Sequence, residues 1–229
     1  CRPSREHIAG IHWGLYRTHV LSHAGQGVIG VLPDYIGFDD PDRYQPYFIK
    51  TAEGRVMLDA VRAAAELFSH IETLAIKGED VFLAGYSQGG HAAFAAADLR
   101  ESYAPEVKVS GIIGYGPTTD LRALFLDFTV SAPLVVYTYS REYGEDRFDP
   151  SIILQQRWVM TLEHDVTTQC IGGIQSHYPW VPAQVFTREF LRALDGDYVS
   201  TVYPEIGRIM AENSSGLSGH GIPVLIAQG

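Results

Sequence analysis

One stretch narrows the folds open to this chain more than any other: Val81-Phe82-Leu83-Ala84-Gly85-Tyr86-Ser87-Gln88-Gly89-Gly90-His91-Ala92-Ala93-Phe94. An apolar run of strand length leads into a serine flanked by glycines, and an alanine-rich helical run follows without a linker. The stretch predicts a strand, a sharp turn and a helix, with Ser87 at the apex of the turn.

Each residue type there has a physical reason. Glycines two positions either side of the serine let backbones pass where a Cβ would clash. G-x-S-x-G in a strand-to-helix turn is the nucleophile elbow of α/β-hydrolases, which lifts the serine hydroxyl above the sheet edge. The N–H of Gln88 opens the new helix and can face an oxyanion forming beside Ser87, helped by the helix dipole. The same residues also fit a glycine-rich turn whose serine does no more than cap the helix. A bare G-x-S-x-G arises often by chance, so it is the strand before it and the helix after it that favour the catalytic reading.

With 229 residues the chain can build one domain with a sizeable core, or a core plus an insertion. Its 46% hydrophobic and 19% charged residues are those of a globular protein. A net charge of −10 argues against nucleic acid as a partner and weakly against an anionic membrane surface. No apolar run approaches spanning length, so no transmembrane segment is expected. The two cysteines, Cys1 and Cys170, lack metal-site spacing and permit at most one disulfide within the chain.

Taken in order, Trp13, Tyr16 and Val20 have near-helical spacing, and the apolar run from Val28 to Leu32, closed by Pro33, reads as a buried parallel strand. Residues 36–45 are rich in turn formers. A helix is expected from Thr51 to about Leu74, with Ala52, Val56, Ala60, Ala64 and Leu67 on one face. The elbow strand, its helix to about Tyr103, and a third strand from Val107 to Tyr115 follow; Ile222 to Ala227 is a fourth. Strands alternating with helices mean a parallel α/β sheet with its site at the C-terminal strand edge, where Asp34, Ser87 and Pro117 would lie. Residues 1–117 and 217–229 read as an α/β-hydrolase core, incomplete at both ends. Residues 118–216, rich in aromatics and punctuated by Pro133, Pro150, Pro179 and Pro182, read as an inserted helical cap (lid) suited to an apolar substrate. Most of those aromatics are expected to form the cap's own small core.

A serine hydrolase also needs a histidine base and a carboxylate to orient it, in the chain order Ser, acid, His. The acid should follow the last strand, so both are expected beyond Gly229. A base at His91, one turn into the elbow helix, would have to sit beneath its nucleophile, so a packing or surface role is expected there. His164, His177 and His220 read as cap or loop residues, Asp120 as a helix cap, and Asp165 and Asp197 as turn residues.

Beyond the elbow, Leu32-Pro33-Asp34-Tyr35-Ile36-Gly37-Phe38, Gly54-Arg55-Val56-Met57-Leu58-Asp59-Ala60-Val61-Arg62-Ala63 and Glu101-Ser102-Tyr103-Ala104-Pro105-Glu106 resemble the secretory lipase family of fungi and bacteria. The resemblance is strong from about Val28 to Leu124, weaker through the cap, and returns at Pro223. It implies a secreted enzyme that hydrolyses lipid or other apolar esters through an acyl-enzyme on Ser87, with the oxyanion held by the Gln88 N–H and by Asp34. It implies no metal or cofactor and an apolar ester at a lipid–water interface as partner; the few strands and the missing triad partners lead to the expectation of a further segment or chain completing the fold. Gln88 stands where the family usually has a small residue. Cys170 falls where the family has a cap cysteine and Cys1-Arg2-Pro3-Ser4 resembles a family segment, so the resemblance also implies a Cys1–Cys170 disulfide tying cap to core. A short-chain carboxylesterase or acyltransferase remains an alternative, as does a non-catalytic binding protein on the same fold.

Overall fold

The computed structural model describes residues 16–38, 40, 42–71 and 80–228. The chain divides into two compact units, one of Cys1–Gln45, Lys50–Pro117 and Ser215–Gly229, the other of Pro46–Ile49 and Thr118–Ser214.

The first unit is built on a parallel sheet of β1 (Val81–Tyr86), β2 (Val109–Tyr115) and β3 (Val224–Ala227), in the order β1-β2-β3. Leu83 pairs with Ile112 and Tyr86 with Tyr115, while Ile112 pairs with Val224 and Tyr115 with Ala227. Among the described residues three helices belong to this unit: α1 (Tyr16–Ala24), α2 (Lys50–Ser69) and α3 (Gln88–Tyr103). Gly90 through Ala97 of α3 are all buried, because the helix packs against β1 and β2 and also against α2. A helix covered on several sides cannot show a single apolar stripe, which is why its sequence is a run of small residues. Leu58, Leu83, Phe94, Ala97, Val107 and Ile112 form the core between these elements. At the helix–helix contact a Cβ on Gly54 would lie 2.9 Å from the Ala95 carbonyl, so glycine lets α2 and α3 approach closely.

Three expectations need correction. The run from Val28 to Leu32 is not a strand: among the described residues it joins no ladder, and Val28, Ile29, Val31 and Leu32 are 41–53% exposed. An apolar run signals a preference for burial, but a strand exists only where a neighbour supplies its hydrogen bonds. The buried face of α2 is Glu53, Gly54 and Leu58, flanked by Met57 and Val61, and Leu67 is exposed. The Ala–Val stripe of the sequence is thus displaced by about one position from the true contact. Helix α2 ends at Ser69; Leu74 and Trp13 lie outside the described residues.

In the second unit, α4 (Leu121–Asp127) is capped by Asp120, whose carboxylate accepts from the backbone N–H groups of Arg122 and Ala123. The chain then turns through a short 3-10 segment into α5 (Ala132–Tyr143), which closes on Gly144 at φ 86°. Pro133, Pro150 and Pro182 start helices rather than interrupt them, since the first turn needs no N–H donor from them. Many of the aromatics form this unit's interior, though Trp180 is exposed: Phe125 stacks on Phe186 and touches Phe190, while the Tyr139 ring packs on Phe148 and its hydroxyl donates to the Phe48 carbonyl at 2.8 Å. No single helix among the described residues is long and apolar enough to cross a membrane.

Candidate active site

Ser87 follows β1 directly and sits at φ 51°, ψ −112°, a conformation that costs a non-glycine residue of the order of 1–3 kcal/mol. The surroundings hold it there. Its N–H donates to the Tyr115 carbonyl of β2 at 3.0 Å, and its carbonyl accepts from the His91 N–H at 3.1 Å, so the helix begins with no intervening residue. The Ser87 side chain makes no capping bond to α3, which removes the main non-catalytic reason for a serine at this place.

The glycines divide their work unevenly. A Cβ on Gly85 would lie 2.0 Å from the carbonyl carbon and oxygen of Gly89, so the elbow closes only because position 85 has none. A Cβ on Gly89 would meet nothing within 4 Å, whereas one on Gly90 would lie 2.6 Å from Pro117. The close approaches therefore belong to Gly85 and Gly90, and the second glycine of the G-x-S-x-G pattern is not one of them. Pro117, just after β2, also fills the space beside Gly114 and so seats the first turn of α3 against the sheet.

Gln88 is the first residue of α3, where backbone N–H groups lack partners within the helix. Its side chain is not loose: Nε2 donates to Glu53 Oε1 at 2.7 Å. The other oxygen of that carboxylate lies 2.6 Å from His91 Nδ1. Glu53 is 2% exposed and His91 0%. His91 is thus a packed residue, as its place one turn into α3 suggested, and its Nδ1 is engaged by Glu53. Sequence reasoning missed Glu53 altogether. The only signal was an acidic residue next to the small residue Gly54, in a helix whose opposite register looked more apolar.

Asp34 is half-buried in an irregular segment, not at a strand end, and precedes a turn in which Phe38 N–H donates to the Tyr35 carbonyl. That turn is closed by Gly37 at φ 81°, where a Cβ would lie 2.4 Å from the Tyr44 carbonyl oxygen. His220 Nδ1 lies 3.2 Å from the Ile222 N–H. His164 is exposed on the helix Leu162–Thr168. Asp165 belongs to that same helix, not to a turn, and its buried carboxylate gathers Thr161 Oγ1, the Tyr178 hydroxyl and His177 Nε2. Burial opposes its ionisation, yet the bonds from Thr161 and Tyr178 and the nearby His177 hold it below the usual carboxylate range. Asp197 is exposed, has φ 58° and pairs with Arg122. Cys170 precedes the helix Ile171–His177 and is not a free thiol; Cys1 lies outside the described residues.

A parallel sheet carrying a glycine-flanked serine at a strained strand-to-helix turn defines an α/β-hydrolase fold, and solved structures agree. The chain aligns with a rice cell wall degrading esterase, LipA, from Xanthomonas oryzae at TM-score 0.64 and 22% identity, over 81% of this chain and 51% of that one. It aligns with a putative hydrolase from Legionella pneumophila at TM-score 0.67 and 16% identity, over 93% and 59%. Candida antarctica lipase A aligns at TM-score 0.51 and 18% identity, over 80% and 49%. The chain thus spans about half the length of the solved structures it matches. No curated protein matches it in sequence. The chain belongs to the secretory lipase family, whose sequence pattern matches residues 5–229.

Proposed function

We propose that this chain carries the nucleophile of a secreted ester hydrolase acting on lipids or other apolar esters. The observation that carries the reading is the conformation of Ser87: a positive φ at a half-buried serine that caps nothing, held by β2 on one side and α3 on the other. Strain of this kind persists where surrounding structure enforces it, as at a nucleophile elbow.

In the proposed reaction Ser87 Oγ bonds to the ester carbonyl carbon while its proton passes to a histidine base. The Gln88 N–H, with Asp34 helping to shape the other side, holds the resulting oxyanion. The carbon–oxygen bond to the alcohol breaks and the alcohol leaves with that proton. Water then adds to the acyl-enzyme, releases the acid and restores the serine. His91 is not assigned the base's role, because its Nδ1 is taken up by Glu53 in the interior. The family name and the esterase and lipase folds it resembles support the ester as substrate and the extracellular location. The Cys1–Cys170 disulfide belongs to this proposal, supported by the absence of a free thiol at Cys170.

The test is covalent labelling with a fluorophosphonate, followed by peptide mapping, alongside hydrolysis of p-nitrophenyl esters of increasing acyl length. One adduct on Ser87 and loss of turnover by about a thousandfold or more in Ser87→Ala are expected. A rate that peaks at long acyl chains marks a lipase, and one that peaks at acetate or butyrate marks a short-chain carboxylesterase. A Ser87→Ala variant that keeps the activity ends the proposal.

A further inference from the structure

The Glu53 carboxylate spans two residues of the same helical turn. Oε1 takes the Gln88 side chain at 2.7 Å and Oε2 faces His91 Nδ1 at 2.6 Å. These are the first and fourth residues of α3, so one carboxylate from α2 grips the opening turn of the helix at both its ends. The grip is rigidly backed, since Glu53 lies beside Gly54, where α2 and α3 come into backbone contact. It is also dry, with Glu53 and His91 both buried.

A buried acid is expensive unless its partners repay the cost, and a hydrophobic residue would stabilise the helix pair at less risk. What the carboxylate adds is orientation. The first peptide planes of a helix are its least constrained, because their N–H groups have no partner within the helix. Here the first of those N–H groups is the proposed oxyanion donor, and the residue before it is held at a strained φ. A donor that must aim at a developing charge has to be fixed before the charge appears. Rotating or lifting the first turn of α3 would break one or both Glu53 contacts.

We infer that Glu53 is a positioning residue for ester hydrolysis: acting through the Gln88 side chain and His91, it fixes the Gln88 N–H toward the oxyanion. This inference rests on Ser87 being the nucleophile. It also gives a role to the Gln88 side chain, whose amide donates to Glu53. The long side chain is a tether drawn toward α2, and shortening it should harm the reaction rather than open the site.

The experiment uses Glu53→Gln, Gln88→Ala and the double variant in the natural protein, with kcat and KM for a p-nitrophenyl ester and the labelling rate of a fluorophosphonate, whose phosphoryl oxygen occupies the oxyanion position. Losing a whole oxyanion donor costs about a hundredfold to a thousandfold, so loosening one should cost less. Gln88→Ala is expected to lower kcat about five- to tenfold and Glu53→Gln about ten- to a hundredfold, with KM within about twofold in each case. Labelling should slow in step with kcat, and the double variant should be no worse than Glu53→Gln, because the two residues act as one unit. If Glu53→Gln does not fold, Gln88→Ala decides the matter, since it trims a half-buried side chain and leaves the Glu53–His91 contact in place. Unchanged or raised kcat in Gln88→Ala, a change confined to KM, or additive losses in the double variant would overturn the inference while labelled wild-type Ser87 keeps the hydrolase reading. Failure of wild-type Ser87 to label would overturn both.

Discussion

The two glycines of the G-x-S-x-G pattern should respond to alanine in opposite ways. At position 85 the new Cβ would stand 2.0 Å from the Gly89 carbonyl group and 2.6 Å from the Gly90 nitrogen. Ordinary carbon contacts lie at about 3.5–4 Å, so the elbow would have to open by more than an ångström. The atoms in the way are backbone, and no side chain can swing aside. Forced overpacking costs about 1–3 kcal/mol even where neighbours can adjust, so Gly85→Ala should cost about 3 kcal/mol or more. At position 89 nothing lies within 4 Å, and the residue is helical with no positive φ. There alanine replaces glycine in a helix, a gain of about 0.5–1 kcal/mol. The predicted gap between the two variants is therefore about 4 kcal/mol. Urea unfolding followed by fluorescence would measure it, with the slope against denaturant checked for constancy. Equal destabilisation by the two alanines, or a Gly85→Ala protein as stable as wild type, would refute the claim that the elbow closes on Gly85 alone of the pair.

Asp98 supplies a pH-dependent prediction. Its carboxylate receives Lys50 Nζ at 2.6 Å, the Gly216 N–H at 2.8 Å and the Ser218 hydroxyl, joining α2, α3 and the chain leading to β3. Burial opposes ionisation, but these three donors outweigh it and hold Asp98 below the usual carboxylate range. The contribution is thus present at neutral pH and is lost as pH falls through the lowered folded-state value. Asp98→Asn should cost about 2–4 kcal/mol at pH 7, and the difference from wild type should shrink as both are titrated into acid; a pH-independent difference would contradict the assignment. Intact mass of the protein should rise by two hydrogen atoms on reduction, with a tryptic peptide pair joining Cys1 to Cys170 before it. Two alkylatable thiols without reduction would exclude the disulfide.

Much of the elbow was legible from the sequence, because the information is local. Glycine, serine and alanine in that order, after a short apolar run, leave few backbone paths, and β1, Ser87 and α3 lie where the pattern placed them. Asp120 as a helix cap was equally legible, since a cap satisfies donors only two and three residues away. Local pattern failed where the outcome depended on a partner distant in the chain. The run from Val28 to Leu32 has strand composition but no ladder among the described residues. The face of α2 was misread because an acidic residue, Glu53, is buried by two polar groups 35 and 38 residues later.

What the sequence by itself determined is thus the identity of the nucleophile candidate and the turn that presents it, both dictated by sterics within a few residues. Which glycine must be a glycine, which face of α2 is inside, and which carboxylate grips the start of α3 were decided only by tertiary structure. Those outcomes turn on distances of 2–3 Å between segments that no spacing rule links, and burying a charge becomes tolerable only once its partners have been brought to it.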